Sequence, residues 1–458
     1  MKILIFIDHD IVVRHFLHSQ VFCELMHEHN VVFVLPELGN KRISATEGKF
    51  TVPDSVLRRL PIDEKRKSIW QKLTITDMLR YRPGAHHAAM RHFHRTTGGW
   101  KAAIIYSLLG LPGIYTVFRW ISRWRLKNNR NQAMDALLEV EKPDLIIHPS
   151  VLAGLFINEL VESCRERQIT LLVIMNSWDN PSTKRAMTGN PDWLLVWGPQ
   201  TRAHAIKYMQ MPPERVINFG AAQFDLYRNP PRVSRAQFAQ KHDIPTEANI
   251  LLYAGSSKDT DEYSHLQQLN DAIARGDLGN TVVVYRPHPW GGGGKDGRRI
   301  ATAQWPHVRI EFTTRSYIDH VAQGNRNSIT TPDYKETHDV LCAIDVLISP
   351  LSTIVIEGAL HGKPVLCFLP DEENEKGHFK LVLPLTHFED FFSNPDFRFA
   401  AGDVNLIPAA QALLASIGDI EYQKKLRSAC EHFVSGFDRP YGKRLLNFVA
   451  TVNHDRNA

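Results

Sequence analysis

Short apolar runs of four to eight residues, bounded by turn signals and separated by helical patterns, recur from one end of the chain to the other. In the first half they are ILIFI (3–7), VVFVL (31–35), DLIIH (144–148), TLLVIM (170–175), WLLVW (193–197) and VINFG (216–220). In the second half they are ILLYAG (250–255), TVVVYRP (281–287), VRIEF (308–312), VLISP (346–350) and PVLCF (364–368). Runs without polar alternation suit strands covered on both faces, and their alternation with helical segments predicts βαβ units and parallel sheets. At 458 residues the chain is too long for one ordinary core, so two Rossmann-like halves are expected. The join is expected near 227–249, where YRNPPRVSRAQFAQKHDIPTEAN carries three prolines and little apolar continuity. This gives domains 1–235 and 236–435, with a helix at 436–458 packing back on the first.

A hydrophobic content of 43% with 22% charged residues excludes disordered and collagen-like readings. The five cysteines, Cys23, Cys164, Cys342, Cys367 and Cys430, are scattered and never in a CxxC spacing, so neither a metal site nor a cofactor is expected and a reduced cytoplasmic setting fits. The opening MKILIFIDHD reads as a first buried strand, because Asp8, His9 and Asp10 interrupt the apolar run too early for a signal peptide.

Charge is unevenly placed. Between Met78 and Met134 there is no Asp or Glu, while Arg91, Arg95, Lys101, Arg119, Arg123, Arg125, Lys127 and Arg130 stand among Trp100, Trp120, Trp124 and other aromatics. The apolar stretch inside it is broken by Gly110, Pro112 and Gly113 and is shorter than the roughly 20 residues a spanning helix needs. Segment 78–134 therefore reads either as an interfacial element on the inner face of the cytoplasmic membrane or as a helical hairpin with a solvated basic face. No nucleic-acid motif accompanies it.

Ligands of parallel sheets bind where the strands end, so the residues after each strand carry the chemistry. Gly255, Ser256 and Ser257 follow one strand and offer amides and hydroxyls to a phosphate, or simply begin a helix. Arg286 and then His288, held between Pro287 and Pro289, follow the next, ahead of the run Gly291 to Gly294, which reads as a lid or linker. In SPLSTIVIEGALHGKPV, Ser352 and Thr353 stand where a helix begins and Glu357 lies one turn on, placed to accept from ribose hydroxyls or to sit exposed beside an ordinary cap. In the first half, Asp8, His9, Asp10, His148 and Asp179 follow strands.

RPHP followed by SPLSTIVIEGALHGKPV resembles the GT-B fold glycosyltransferases of bacterial surface polysaccharides (capsule, lipopolysaccharide). It is similar in particular to the His-Pro and Ser-Ser/Thr motif pairs of sialyltransferases, Kdo transferases and CDP-glycerol glycerophosphotransferases. NSWDNPSTKRAMTGNPDWLLVWG is similar to the first half of such enzymes, departing at Arg185, where they carry glycine. The resemblance implies an α/β GT-B fold, two Rossmann-like domains facing each other across a cleft, the first binding an acceptor and the second a nucleotide-sugar donor.

It further implies metal-independent transfer of a sugar from a CMP- or UDP-sugar to a surface glycan or lipid-linked acceptor. His288, Ser352 and Thr353 would hold the donor phosphate, helped by Gly255, Ser256, Ser257, Arg286 and Lys258, with Glu357 on the ribose hydroxyls. The base that takes the acceptor proton is expected to be Asp10 or His9, with Asp179 next. Three other readings stay open: a sugar-nucleotide enzyme like UDP-N-acetylglucosamine 2-epimerase, a polyol-phosphate transferase, and a non-catalytic assembly scaffold. The first is disfavoured because such enzymes carry a basic segment after their first strand, where this chain has DHD.

Overall fold

A computed structural model describes the chain apart from residues 41–42, 44–51, 82–97, 103, 110, 151–154, 184–186, 257–259, 290, 325–332, 372–378, 380–382, 384 and 458. It also leaves out the side chains of 54, 78–81 and 453–457. The chain divides into two compact units. The first holds Met1–Asp225, Pro384–His387 and His432–Ala458, and the second Leu226–Leu383 and Phe388–Glu431.

The first unit is built on seven strands: β1 (Lys2–Phe6), β2 (Asn30–Pro36), β3 (Leu57–Leu60), β4 (Leu145–His148), β5 (Thr170–Ile174), β6 (Trp193–Val196) and β7 (Val216–Asn218). They lie in the order β3-β2-β1-β4-β5-β6-β7, and neighbouring strands run parallel. Side chains alternate faces along a strand, so each run feeds two cores. Leu4, Phe6, Val34, Ile146 and Val173 pack on one face. Ile3, Ile5, Phe33, Ile147 and Leu172 pack on the other, where Tyr441, Leu445 and Val449 of the last helix join them.

The second unit has six strands: β8 (Asn249–Ala254), β9 (Thr281–Arg286), β10 (Val308–Ile310), β11 (Val346–Pro350), β12 (Val365–Leu369) and β13 (Arg398–Ala401). Their order is β10-β9-β8-β11-β12-β13, again parallel throughout. Leu251, Tyr253, Val283, Tyr285, Ile348 and Phe368 share one buried face with Leu406, Ala410 and Leu413 of the helix Leu406–Leu414.

All eleven apolar runs contain a strand, and the sequence reading missed two: β3 (LRRL) and β13 (RFAA), both at sheet edges. Edge strands carry charge because they are not covered on both sides. Arg58 on β3 holds Glu141 at 2.6 Å, and Arg398 on β13 donates to the carbonyl of Ala412.

In each sheet the strand order reverses direction once, between β1 and β4 in the first unit and between β8 and β11 in the second. Such switch points are where a parallel sheet opens a crevice at the carboxyl ends of its strands, because the crossovers leave in opposite directions there.

Candidate active site

At the switch point of the first unit, Asp8 and His148 are fully buried, with His148 Nε2 3.5 Å from Asp8 Oδ2. His148 Nδ1 lies 2.6 Å from the carbonyl of Ser150, so the ring donates from Nδ1 and turns Nε2 to the carboxylate. His9 and Asp10 are half-buried beside them in sequence. The Nδ1 of His9 accepts from the Ile11 amide at 3.0 Å, capping the short helix Asp10–Val12. That leaves the proton of a neutral His9 on Nε2, which suits donation better than abstraction and favours Asp10 of the two expected bases.

A π-helix, Val13–Leu17, follows at once and buries His15, whose burial drives its pKa down to about 3. π-Turns of this kind concentrate at functional sites.

Asp179 is differently employed. Its carboxylate accepts from Ser177 Oγ and, at 3.0 Å, from Thr183 Oγ1, while its carbonyl takes the Ser182 and Thr183 hydroxyls at 3.1 and 2.7 Å. These contacts fix the turn that opens the helix Asn180–Thr183. Sequence reasoning missed His387, which is buried, meets Ser182 Oγ through Nδ1 at 3.2 Å and stands edge-on to Trp178. No strand-end signal marks it, because it arrives from a distant part of the chain.

At the switch point of the second unit, Ser349 Oγ donates to the Ala254 carbonyl at 2.8 Å and ties the end of β11 to the end of β8. Gly255 comes next, and a side chain there would meet the Glu262 carboxylate at 2.5 Å. Glu262 is fully buried. It accepts from the Ser256 amide at 2.8 Å and from Tyr285 OH at 2.5 Å, and burial raises its pKa to about 7. The Ser256 amide, read from sequence as a phosphate donor, is thus held by Glu262, a residue the sequence reading passed over. Ser257 and Lys258 lie outside the described residues.

The run Gly291–Gly294 is a packed turn, where sequence reasoning favoured a lid or linker. Gly291, Gly292 and Gly293 are buried. The Gly292 amide donates to Tyr317 OH at 2.9 Å. Gly293 and Gly294 have φ of +76° and +70°, and a Cβ on Gly294 would stand 2.2 Å from the Thr260 carbonyl. The backbone needs glycine here for both conformation and space.

Arg286 ends β9 and is 5% exposed. One guanidinium nitrogen donates to Thr337 Oγ1 at 3.1 Å, while Nη1 is buried and finds no hydrogen-bond partner among the described residues. His288, Ser352 and Thr353 are half-buried, and Thr353 makes no side-chain cap for the helix Ile354–Leu360. Glu357 is buried, and its carboxylate accepts from Tyr227 OH. Tyr227 stacks on His338 and meets His361 edge-on. Burial lowers the pKa of His338 and drives that of His361 down to about 3.

No protein family model matches the chain, and no curated protein matches it in sequence. Solved structures do. It is similar to a putative UDP-N-acetylglucosamine 2-epimerase from Listeria monocytogenes, with a TM-score of 0.57 at 12% identity over 100% of this chain and 97% of that one. The UDP-GlcNAc 2-epimerase from Neisseria meningitidis bound to UDP-GlcNAc gives 0.52 at 11% identity, covering 98% of this chain and 100% of that one. Arabidopsis thaliana UGT89C1 complexed with UDP gives 0.50 at 13% identity, covering 98% and 99%. At such identities the likeness establishes the fold: α/β, with two Rossmann-like parallel sheets of the GT-B type.

Proposed function

We propose that the chain is a glycosyltransferase that moves a sugar from a nucleotide-activated donor, a CMP- or UDP-sugar, to a surface glycan or lipid-linked acceptor. The observation that carries this reading is Arg286: a buried guanidinium at a strand end, with one nitrogen lacking a partner among the described residues, calls for an anion. His288 follows it in a proline-clamped loop, and the hydroxyls of Ser352 and Thr353 stand after β11, half-buried and at the switch point where ligands of such sheets bind. Together these residues supply positive charge and hydrogen-bond donors for the phosphate of a departing nucleotide. Glu357, through Tyr227, holds the helix that follows.

Asp10 is the proposed base for the acceptor hydroxyl, with His9 as a hydrogen-bond donor and Asp179 holding the turn after β5. General base catalysis contributes roughly 10²–10⁴-fold, so Asp10→Asn is expected to lower transfer by about that factor without loss of nucleotide binding.

The first test needs no acceptor. Thermal unfolding is followed with CMP, CDP, UDP and GDP, where a ligand at about 100 times its Kd stabilises the fold by about 2.7 kcal/mol. One nucleotide is expected to stabilise the wild type, with the effect lost in His288→Ala. If none does so at millimolar concentration, the assembly-scaffold reading replaces this one; if UDP-GlcNAc exchanges its C2 proton with solvent, the epimerase reading does.

The acceptor is proposed to lie at a membrane surface. Helices Gly98–Leu109 and Pro112–Asn128 meet at 95°, and among the described residues no single helix is long and apolar enough to cross a membrane. On the second helix Ile114, Val117, Trp120 and Trp124 form one stripe at helical spacing, and all four are exposed, while Tyr115, Ser122 and Leu126 are buried. An outward apolar stripe flanked by exposed Lys101, Arg125 and Lys127 suits an anionic bilayer. Arg123 and Arg130 are instead paired with Glu162, Asp135 and Glu166. Residues 82–97 of this segment lie outside the described residues. Co-sedimentation with phosphatidylserine vesicles, reduced in Trp120→Ala/Trp124→Ala and absent on phosphatidylcholine alone, is the expected outcome; equal binding to both would refute the electrostatic part.

A further inference from the structure

His338 and Cys342 stand one turn apart on the helix Tyr334–Ala343, and His361 caps the end of the helix Ile354–Leu360. Two carbonyls dictate how the imidazoles carry their protons. His338 Nε2 lies 2.8 Å from the Asn229 carbonyl, and His361 Nδ1 lies 2.7 Å from the Glu357 carbonyl. A carbonyl only accepts, so both of these nitrogens are N–H donors. In neutral rings that leaves His338 Nδ1 and His361 Nε2 as bare lone pairs, and the structure turns them toward each other at 2.8 Å. Lone pairs so disposed repel unless a cation stands between them.

Cys342 Sγ completes the cluster, 3.6 Å from His338 Nδ1, and ligand atoms of all three residues lie within 4.8 Å of one another. We infer that His338, Cys342 and His361 form a metal site for a borderline-soft ion such as Zn²⁺, with a water as fourth ligand. Tetrahedral zinc with bonds of about 2.0 Å to nitrogen and about 2.3 Å to sulfur separates N from N by about 3.3 Å and N from S by about 3.6 Å. The sulfur, 3.6 Å from His338 Nδ1 and 3.8 Å from Nε2, lies beside the ring, so the Cys342 side chain has to rotate toward the Nδ1 lone pair while the rings part by about half an ångström. Carbonyl acceptors behind both imidazoles are the outer-shell partners such ligands use to fix their tautomer. Binding would displace the thiol proton of Cys342 to solvent, leaving a zinc-bound thiolate. Lys363, two residues after His361, donates to the Cys342 carbonyl at 3.1 Å and so ties the two ligand-bearing segments together.

The site would clamp the helix Tyr334–Ala343 to the helix that follows Ser352 and Thr353 and carries Glu357. Its role is to hold structure, and it does not depend on what the neighbouring strand ends bind.

The test uses the full chain, freed of metal with a chelator and titrated with Co²⁺. One equivalent is expected to give the visible bands of tetrahedral cobalt and a thiolate-to-cobalt charge-transfer band, and one equivalent of Zn²⁺ is expected to bleach both. Cys342→Ser should abolish the charge-transfer band, and His361→Gln should weaken Zn²⁺ binding by about 10–100-fold in competition with a chromogenic chelator. Cys23→Ser, which alters the exposed cysteine, should change neither. The absence of saturable binding by the wild type, or loss of the band in Cys23→Ser with its retention in Cys342→Ser, would overturn the assignment.

Discussion

The two sheets reverse at equivalent places yet furnish them in opposite ways. Between β1 and β4 the first unit concentrates titratable groups, with buried Asp8 facing buried His148 and Asp10 and His9 next in line. Between β8 and β11 the second unit strips side chains away, setting glycine at 255 and 291 to 294 and fixing the backbone through Glu262, Tyr285 and Tyr317. Arg286 brings positive charge to it from the flank. One crevice gathers titratable side chains, and the other is walled by rigid main chain packed against Glu262 and Tyr317.

The largest expected effect breaks that rigidity. Gly294→Ala puts a Cβ against the Thr260 carbonyl at a positive φ, and denaturant unfolding should show a loss of about 3 kcal/mol or more. Gly113→Ala, which meets nothing within 4 Å, should leave stability within about 0.5 kcal/mol.

Next comes pH. Glu262 titrates near 7 in the fold and near 4.5 when exposed, so its folded pKa is raised. Its contribution is full below about pH 4.5 and is lost as pH rises through about 7, on the order of 3 kcal/mol in all. Glu262→Gln should flatten the stability profile across that window; an unchanged slope would mean that the carboxylate does not carry it.

Arg286→Gln should weaken binding of the stabilising nucleotide by about 10–100-fold, measured by calorimetry, with little change in the unliganded fold. The smallest effect belongs to the first unit's outer helix. Trp120→Ala should shift unfolding by less than about 0.5 kcal/mol, because the residue is already 68% exposed. A larger loss would place the residue in a core.

Central strands were legible because they are buried on both faces and so carry unbroken apolar runs. Two of the four edge strands were not: Arg58 and Arg398 disguise β3 and β13 as loops, while the edges β7 and β10 keep enough apolar residues to be read. Among the site residues, those that directly follow a strand could be marked from the sequence alone. What each does with its atoms could not, since Glu262 beneath Gly255, Tyr227 against Glu357 and the His338–Cys342–His361 cluster are meetings across chain distance that local spacing does not encode. The glycine run misled for the same reason: its composition suggests slack, and only the atoms around it reveal that nothing larger fits.

That turn bears on how the protein can be handled. A stretch of four glycines invites the insertion of an affinity tag, a protease site or a fluorescent reporter, or the opening of the chain for circular permutation. Here each would wedge residues into the seam between Thr260 and Gly297, where a Cβ on Gly297 would already stand 2.0 Å from the Gly292 carbonyl. Splice points belong elsewhere, at exposed turns such as the one around Gly276 and Gly279, where added atoms meet open solvent.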